Sequence, residues 1–378
     1  MRHNVKGWCP GALRPMEAGD GLMVRLRPRA SRLGSGQALA LADLAESHGS
    51  GEIDLGSRAS LQLRGIRQEA LPELRQALDT LRMLDADPAR EARRNILTTP
   101  IANDAETLGL SAALEAALAE DLAEELDLPA KFGFAVDTGA RAILGGASAD
   151  IRLERAAEGL IVRADGMALG ERVSAATAVG RAMDIARWFC AHAAGHRRMA
   201  TLIAAGGEPP LKVASPPLRG EPLRPGKTEL GSCVALPFGR LTAVTLRALA
   251  VAPLRLTPWR SVLVEAAVPP SPDWIIDPAD PRLRVSACPG QPACGSASVV
   301  TRDLALWLAP HLPGSVSLHV SGCAKGCAHP RSAALTLTGR MGRFDLIRGG
   351  RAGDPPALTD LSIDDVHTLL RGPLAPPL

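Results

Sequence analysis

The stretches ACPGQPACG (residues 287–295) and SGCAKGCAHP (residues 321–330) hold four of the chain's seven cysteines: Cys288, Cys294, Cys323 and Cys327. The spacing is C-x5-C, a gap of about one βαβ unit, then C-x3-C. Four thiolates from two loops match the demand of a cubic iron–sulfur cluster, which takes one cysteine per iron. Pro289, Gly290, Pro292, Gly295, Gly322 and Gly326 suit loops that turn sharply and aim backbone amides at cluster sulfurs. The bland alternative is four buried thiols, or a disulfide pair if the protein were secreted. Zinc is the competing metal, although its sites usually show tighter knuckles on both sides.

Length and composition set the frame around those loops. A chain of 378 residues with 46% hydrophobic and 22% charged residues fits a globular protein of two or three domains. The opening MRHNVKGWCPGALRPM lacks the apolar run of a signal peptide. The richest apolar stretch, LTAVTLRALAVAPL, is broken by Arg247 and Pro253, which predicts no membrane span. A cytoplasmic, reducing location follows, where thiols serve metal or redox work. A net charge of +3 with 3% aromatic residues argues against a nucleic-acid partner. The basic residues are nonetheless lopsided: five lysines leave 38 arginines among the 43. A GC-rich genome explains the total, as it explains the absence of tyrosine. Guanidinium forks also pair bidentately with carboxylates, so only position along the chain can give them a role.

The chain reads as two similar halves. A linker with six prolines, residues 204–230, separates them. Before it lie a small αβ segment (10–85) and a larger one (88–203); after it, the same order recurs (231–280, 281–378). In the first half GLMVRLRP reads as a strand, GQALALADLAESHG as a helix, and EIDLGSRASLQLRGI as a second strand. PLRLTPWRSVLVEAA repeats that strand: laid without a gap, Leu55, Leu61 and Leu63 fall on Leu256, Val262 and Val264, with Arg58 beside Arg260. A helix around Leu114–Leu126 corresponds to one around Leu304–Ala309, and KFGFAVD to SVSLHVSG. The expected fold class is α+β by duplication, with chemistry at the pseudo-twofold interface.

This layout plus the cysteine pattern resembles the sulfite and nitrite reductase hemoprotein family over nearly the whole chain. The resemblance implies two ferredoxin-like half-domains and two larger α+β domains related by a pseudo-twofold. It implies that Cys288, Cys294, Cys323 and Cys327 hold a 4Fe–4S cluster, the last cysteine bridging to siroheme iron in the reductases. Several residues match the motifs around the family's tetrapyrrole: Arg25 and Arg27 in MVRLRP, Arg58, Gln62 and Arg64 in GSRASLQLRG, Arg94 and Asn95 in RRNIL, and Lys131 in LPAKFGF. They form the expected cleft for macrocycle carboxylates, each charge-assisted pair contributing roughly 1.5–3 kcal/mol.

Two departures redirect the function. Gly133 stands where the reductases carry the second lysine of K-F-K, removing a cation that anion reduction would use. The cluster loop CAKGCAHP and the opening CPGALRPMEAGDGLMVR, with Cys9, Met16 and Asp20, resemble the precorrin-3B synthase branch of the family. That branch implies an O2-dependent monooxygenase acting on precorrin-3A at C20, with γ-lactone formation, in aerobic cobalamin biosynthesis. Siroheme is not expected, and the macrocycle becomes the substrate. NADH is the expected ultimate donor, but no G-x-G-x-x-G follows a strand, so an external reductase must deliver electrons. His319 and His329 flank the second cysteine pair and are candidates for an additional mononuclear iron, against second-shell or surface placement. A siroheme-dependent sulfite or nitrite reductase is the alternative enzyme, and a tetrapyrrole carrier or redox sensor the non-catalytic one.

Overall fold

Apolar alternation places Leu22, Val24 and Leu26 on one buried face of the strand Gly21–Leu26, and Leu61 and Leu63 on that of Ser60–Ile66. These strands pair antiparallel in a computed structural model that describes residues 9–101, 105–120 and 126–371. The segment expected as one strand over Glu52–Ile66 is instead a hairpin of Glu52–Gly56 and Ser60–Ile66. Its turn ends on Ala59 with φ of 48°. The second half repeats this with Leu254–Leu256, Ser261–Val264 and Arg260 at φ of 57°. Leu55 pairs with Leu61 and Ile53 with Leu63; Leu256 pairs with Val262 and Leu254 with Val264. The gapless superposition of the two halves therefore holds down to strand register, and Arg260 falls on Ala59.

The two small sheets have five strands each, and each borrows its edge from the other half. Arg240–Thr242 pairs with Glu52–Gly56, and Arg32–Leu33 pairs with Leu254–Leu256. One apolar core, including Leu41, Leu63, Leu246 and Val262, runs through both half-domains. Reciprocal strand exchange makes the halves one folding unit, so the surface between them is rigidly defined.

The larger segments share a second topology. Ile96–Thr98, Phe134–Asp137 and Ile151–Ala156 are parallel, and Gly159–Ala164 and Gly170–Val173 continue antiparallel. Val285–Ala287, Leu318–Ser321, Ala333–Arg340, Arg343–Gly350 and Leu358–Leu361 follow the same scheme. Helices Ala105–Glu120 and Arg302–Leu308 occupy the same crossover; Ala175–His192 and Ile363–Arg371 close the two units. Of the helix expected around Leu114–Leu126, residues 121–125 lie outside the described residues. The proline-rich linker is not a bare connector. Val213–Ser215 adds a strand to the first large sheet and Gly226–Thr228 one to the second small sheet. Among the described residues no helix is long and apolar enough to cross a membrane.

Candidate active-site cleft and cysteine nest

The strands Val285–Ala287 and Leu318–Ser321 run parallel, so the loops that follow them emerge at the same sheet end. That is why residues 29 to 39 positions apart in sequence converge. Cys288 is buried, Cys294 and Cys323 half-buried, and Cys327 exposed. Burial raises the Cys327 thiol above its usual range, and Cys323, Cys288 and Cys294 are close enough to push it further. Cys323 is raised for the same reason, with Cys294 and Cys288 beside it. The Gly322 N–H donates to Cys288 Sγ at 3.2 Å, the contact a cluster thiolate accepts. Gly290 has no room for a side chain, since a Cβ would lie 2.4 Å from Thr301 Oγ1. Thr301 in turn donates to the Cys288 carbonyl at 2.5 Å.

Among the described residues no three His, Cys, Asp or Glu side chains are arranged to hold a single metal ion. A cube is a different test, because its four thiolates bind four separate irons and stand correspondingly apart. The four-thiol donor set and the amide-to-sulfur contact fit that group. The mononuclear iron expected near His319 and His329 finds no such support. Their rings lie 5.6 Å apart, and no third ligand joins them among the described residues. His319 is fully buried with neither ring nitrogen partnered among the described residues, and burial pushes its pKa down to about 4, with His329 and Arg260 adding to the shift. It sits under the turn at Gly326, which has φ of 60°.

A cleft of about 780 Å3 opens beside the nest, with Cys288 and Cys327 in its wall. Both half-domains and both larger units contribute to it, as the duplication requires. Five arginines line it: Arg64, Arg260, Arg282, Arg302 and Arg331. Asp54 is the one carboxylate in the lining among the described residues; it pairs with Arg302 and lies 3.6 Å from Arg64. Arg260 donates to Ser286 and to the Ala328 carbonyl; burial and the Arg302 cation lower its pKa. Trp259 both lines the cleft and packs on the core.

The residues expected to bind the macrocycle divide sharply. Gln62 and Arg64 line the cleft. Arg64 is also a clamp: it grips Asp20 bidentately at 2.9 and 3.0 Å and donates to Ala293 O at 2.7 Å, inside the C-x5-C loop. Gly19 completes that clamp, since a Cβ there would meet Pro292 O at 2.5 Å. Arg58 lies next to the cleft, donating to Ser148 Oγ at 3.2 Å and to the Lys131 carbonyl. Lys131 is exposed, with its backbone making that contact. Arg94 is turned away, paired with Asp85 at 2.8 and 2.9 Å. Asn95 holds the Ala130 and Phe132 carbonyls, and Arg27 reaches Asn95 and the Glu91 carbonyl. Arg25, Arg27 and Arg58 form a cationic group beside Cys9. Burial lowers all three, Arg27 to about 10, and the Nε atoms of Arg25 and Arg58 have no partner among the described residues. At Gly133 a Cβ would lie 3.0 Å from Asn95 O, so a lysine cannot be accommodated without a shift.

Sequence reasoning missed Arg260, Arg282, Arg302, Arg331 and Asp54. One signal was present: the repeat laid Arg260 beside Arg58.

Paired half-domains around a cleft, with a thiol nest at its edge, define a nitrite/sulfite reductase-like protein. Residues 14–81 match the family described as Nitrite/Sulfite reductase ferredoxin-like half domain. The fold resembles that of the NirA protein of Mycobacterium tuberculosis, with a TM-score of 0.64 and 18% identity over 93% of this chain and 79% of that one. A ferredoxin–nitrite reductase of Synechococcus elongatus is 25% identical over 98% of this chain and 88% of its own length. A precorrin-3B synthase of Sinorhizobium is 31% identical over 94% of this chain and 85% of its own. The chain belongs to the precorrin-3B synthase family within that class.

Proposed function

We propose that the chain is an oxidoreductase of cobalamin biosynthesis that hydroxylates precorrin-3A at C20 with O2, the ring A acetate then closing a γ-lactone to give precorrin-3B. One oxygen atom enters the product; the other leaves as water, taking two electrons and two protons. NADH supplies the electrons through a separate reductase. Cys288, Cys294, Cys323 and Cys327 would hold a 4Fe–4S cluster, which when bound supplies one-electron transfer.

The observation that carries this reading is the cleft itself. Five arginines meet there beside Cys288 and Cys327, and its volume of about 780 Å3 suits a large ligand. Arg64, Arg260, Arg302 and Arg331 would pair with the acetate and propionate rim, and Arg282, held on Asp280 at 2.8 Å, adds its charge to the wall. Such multiple ion pairs fix the macrocycle's orientation, and so the exposure of one meso carbon. Asp54 holds Arg302 in place, and Trp259 and Phe238 give the wall apolar surface. The Nε atoms of Arg25, Arg58 and Arg302 find no acceptor among the described residues and are further donors. The Sinorhizobium relative's name supports the same substrate.

Anaerobically purified protein should show iron and sulfide in cluster ratio and no siroheme bands. With precorrin-3A, reductant and 18O2, the new hydroxyl should carry label. Unlabelled product would refute the monooxygenase reading. The Synechococcus relative favours one second reading, siroheme-dependent nitrite or sulfite reduction. Siroheme absorption together with nitrite or sulfite turnover would establish it instead.

A further inference from the structure

Two guanidiniums in the cleft wall also hold the cysteine loops. Arg64 donates to the Ala293 carbonyl at 2.7 Å, one residue before Cys294. Arg260 donates to the Ala328 carbonyl, one residue after Cys327, and to Ser286 Oγ at 3.4 Å, two residues before Cys288. A third cleft arginine is tied in through the chain. Arg302 opens the helix Arg302–Leu308, and Thr301 just before it donates to the Cys288 carbonyl at 2.5 Å.

These contacts are built into the fold. Arg260 keeps φ of 57°, a backbone that glycine adopts freely and arginine only with strain. Its stem packs on Gly239, where a Cβ would stand 3.3 Å from the Arg260 Cγ, and its carbonyl accepts from the Leu236 N–H at 2.9 Å. Arg64 is fixed by its two bonds to Asp20, and the Gly19 N–H donates to the same Ala293 carbonyl at 3.2 Å. The two loops are joined to each other as well. The Ser298 N–H donates to the Gly322 carbonyl at 3.0 Å, and the Gly322 N–H to Cys288 Sγ at 3.2 Å. A shift of either loop therefore moves the carbonyls on which the cleft guanidiniums rest.

We propose that Arg64 and Arg260 are positioning residues that make the cleft and the cysteine loops one thermodynamic unit. Loops closed on a cluster aim the two guanidiniums for a polycarboxylate macrocycle, and a bound macrocycle in turn holds the loops closed. This rests on the cluster and macrocycle readings given above. A carboxylate gains most from a guanidinium fork whose direction is already fixed, and here a loop carbonyl fixes it. Linkage requires the two effects to be equal in size. A charge effect of opposite sign competes, since a cluster on four thiolates is anionic and repels a polyanion. Salt separates the two, because it screens charge and leaves the carbonyl bonds in place.

The probe is uroporphyrin III, an octacarboxylate macrocycle, followed by equilibrium dialysis against cluster-loaded protein and protein stripped of iron, at low and high salt. Loaded protein should bind at least about tenfold more tightly, and that ratio should hold or grow at high salt. Uroporphyrin should also slow iron release from loaded protein to a chelator. In Arg260→Met the affinity ratio should fall to within about twofold of one. Its protection against iron release should be lost even at saturating uroporphyrin, which separates anchoring from simple covering of the thiols. Asp43→Asn, in an exposed pair with Arg247, should alter neither quantity. If stripped protein does not stay folded, the iron-release arm decides on loaded protein alone. A wild-type ratio near one, or wild-type protection in both Arg260→Met and Arg64→Met, overturns the coupling and leaves the cleft standing. Loaded protein that binds no uroporphyrin overturns the macrocycle reading and the coupling with it. Purified protein without iron and sulfide overturns the cluster reading, a result that metal analysis shows independently.

Discussion

Replacing Arg64 with methionine tests whether the cysteine loop is held from outside. The side chain keeps its apolar stem but loses every donor. Arg64 is 6% exposed and its partner Asp20 15%, so the pair is largely desolvated. Two bonds to Asp20 and one to the Ala293 carbonyl vanish together. Removing one member of a buried pair strands the other charge, at a cost of about 3–5 kcal/mol. Adding Asp20→Asn removes the stranded charge and leaves mainly the lost bond to Ala293, about 1.5–3 kcal/mol. The double variant should therefore be more stable than Arg64→Met alone. Because the Ala293 carbonyl lies one residue before Cys294, both variants should also release iron faster. A loop loosened by about 1.4 kcal/mol opens roughly tenfold more often. Urea midpoints and iron release to a chelator read the two effects separately. Wild-type iron release in Arg64→Met, or a double variant less stable than the single, would refute the clamp.

Serine at Cys288, Cys294, Cys323 or Cys327 should lower iron and sulfide content, while Cys190→Ser leaves both unchanged; full occupancy in Cys294→Ser would remove that ligand. Arg260→Ala or Arg302→Ala should weaken macrocycle binding about 10- to 100-fold, as expected for a lost charge-assisted pair of roughly 1.5–3 kcal/mol. Arg94→Ala should instead leave affinity near wild type and lower stability by about 1.5–3 kcal/mol, the loss of its charge-assisted bonds to Asp85, which keeps Arg29 at 3.3 Å; equal affinity losses in all three would erase the distinction. Asp137 is fully buried, and burial raises its carboxyl from 3.8 to about 6. The folded state binds this proton more tightly than the unfolded chain, so stability should fall as pH rises from about 4 through 6, by roughly 3 kcal/mol. Asp137→Asn should flatten that part of the stability–pH curve, and an unchanged slope would show that another group carries it.

The duplication and the thiol nest were legible because each is written in spacing. Apolar alternation and turns of equal length let Leu55, Leu61 and Leu63 find Leu256, Val262 and Val264, and the pairing registers agree. The hairpin at Ser57–Ala59 was not legible. Neither Ala59 nor Arg260 is a residue type that announces a left-handed backbone, so the run of apolar residues read as one continuous strand. The strands within the proline-rich linker were hidden for a related reason: pieces of three residues carry too little periodicity to register.

The arginines show where motif reading stops. A motif fixes where a backbone runs, but a guanidinium on a long stem goes to whichever carboxylate the fold brings near. Arg94 lies next to Asn95 in the motif and yet ends on Asp85, nine positions upstream, because that carboxylate is buried with it. Arg64 stands in the cleft wall with Asp20 holding its other edge. Arg260 and Arg302 reach the cleft from the second half, where no tetrapyrrole motif marks them. Their position follows from the pseudo-twofold: Arg260 occupies the turn equivalent to Ala59, and Arg302 begins the crossover helix beside the cysteine loop. A cleft made at a duplication interface takes its cations from both copies, so a search confined to the copy that carries the motifs finds only half of them. The repeat register is then the better guide than the motif, since it carried Leu55 to Leu256 and set Arg260 at the edge of the same cleft.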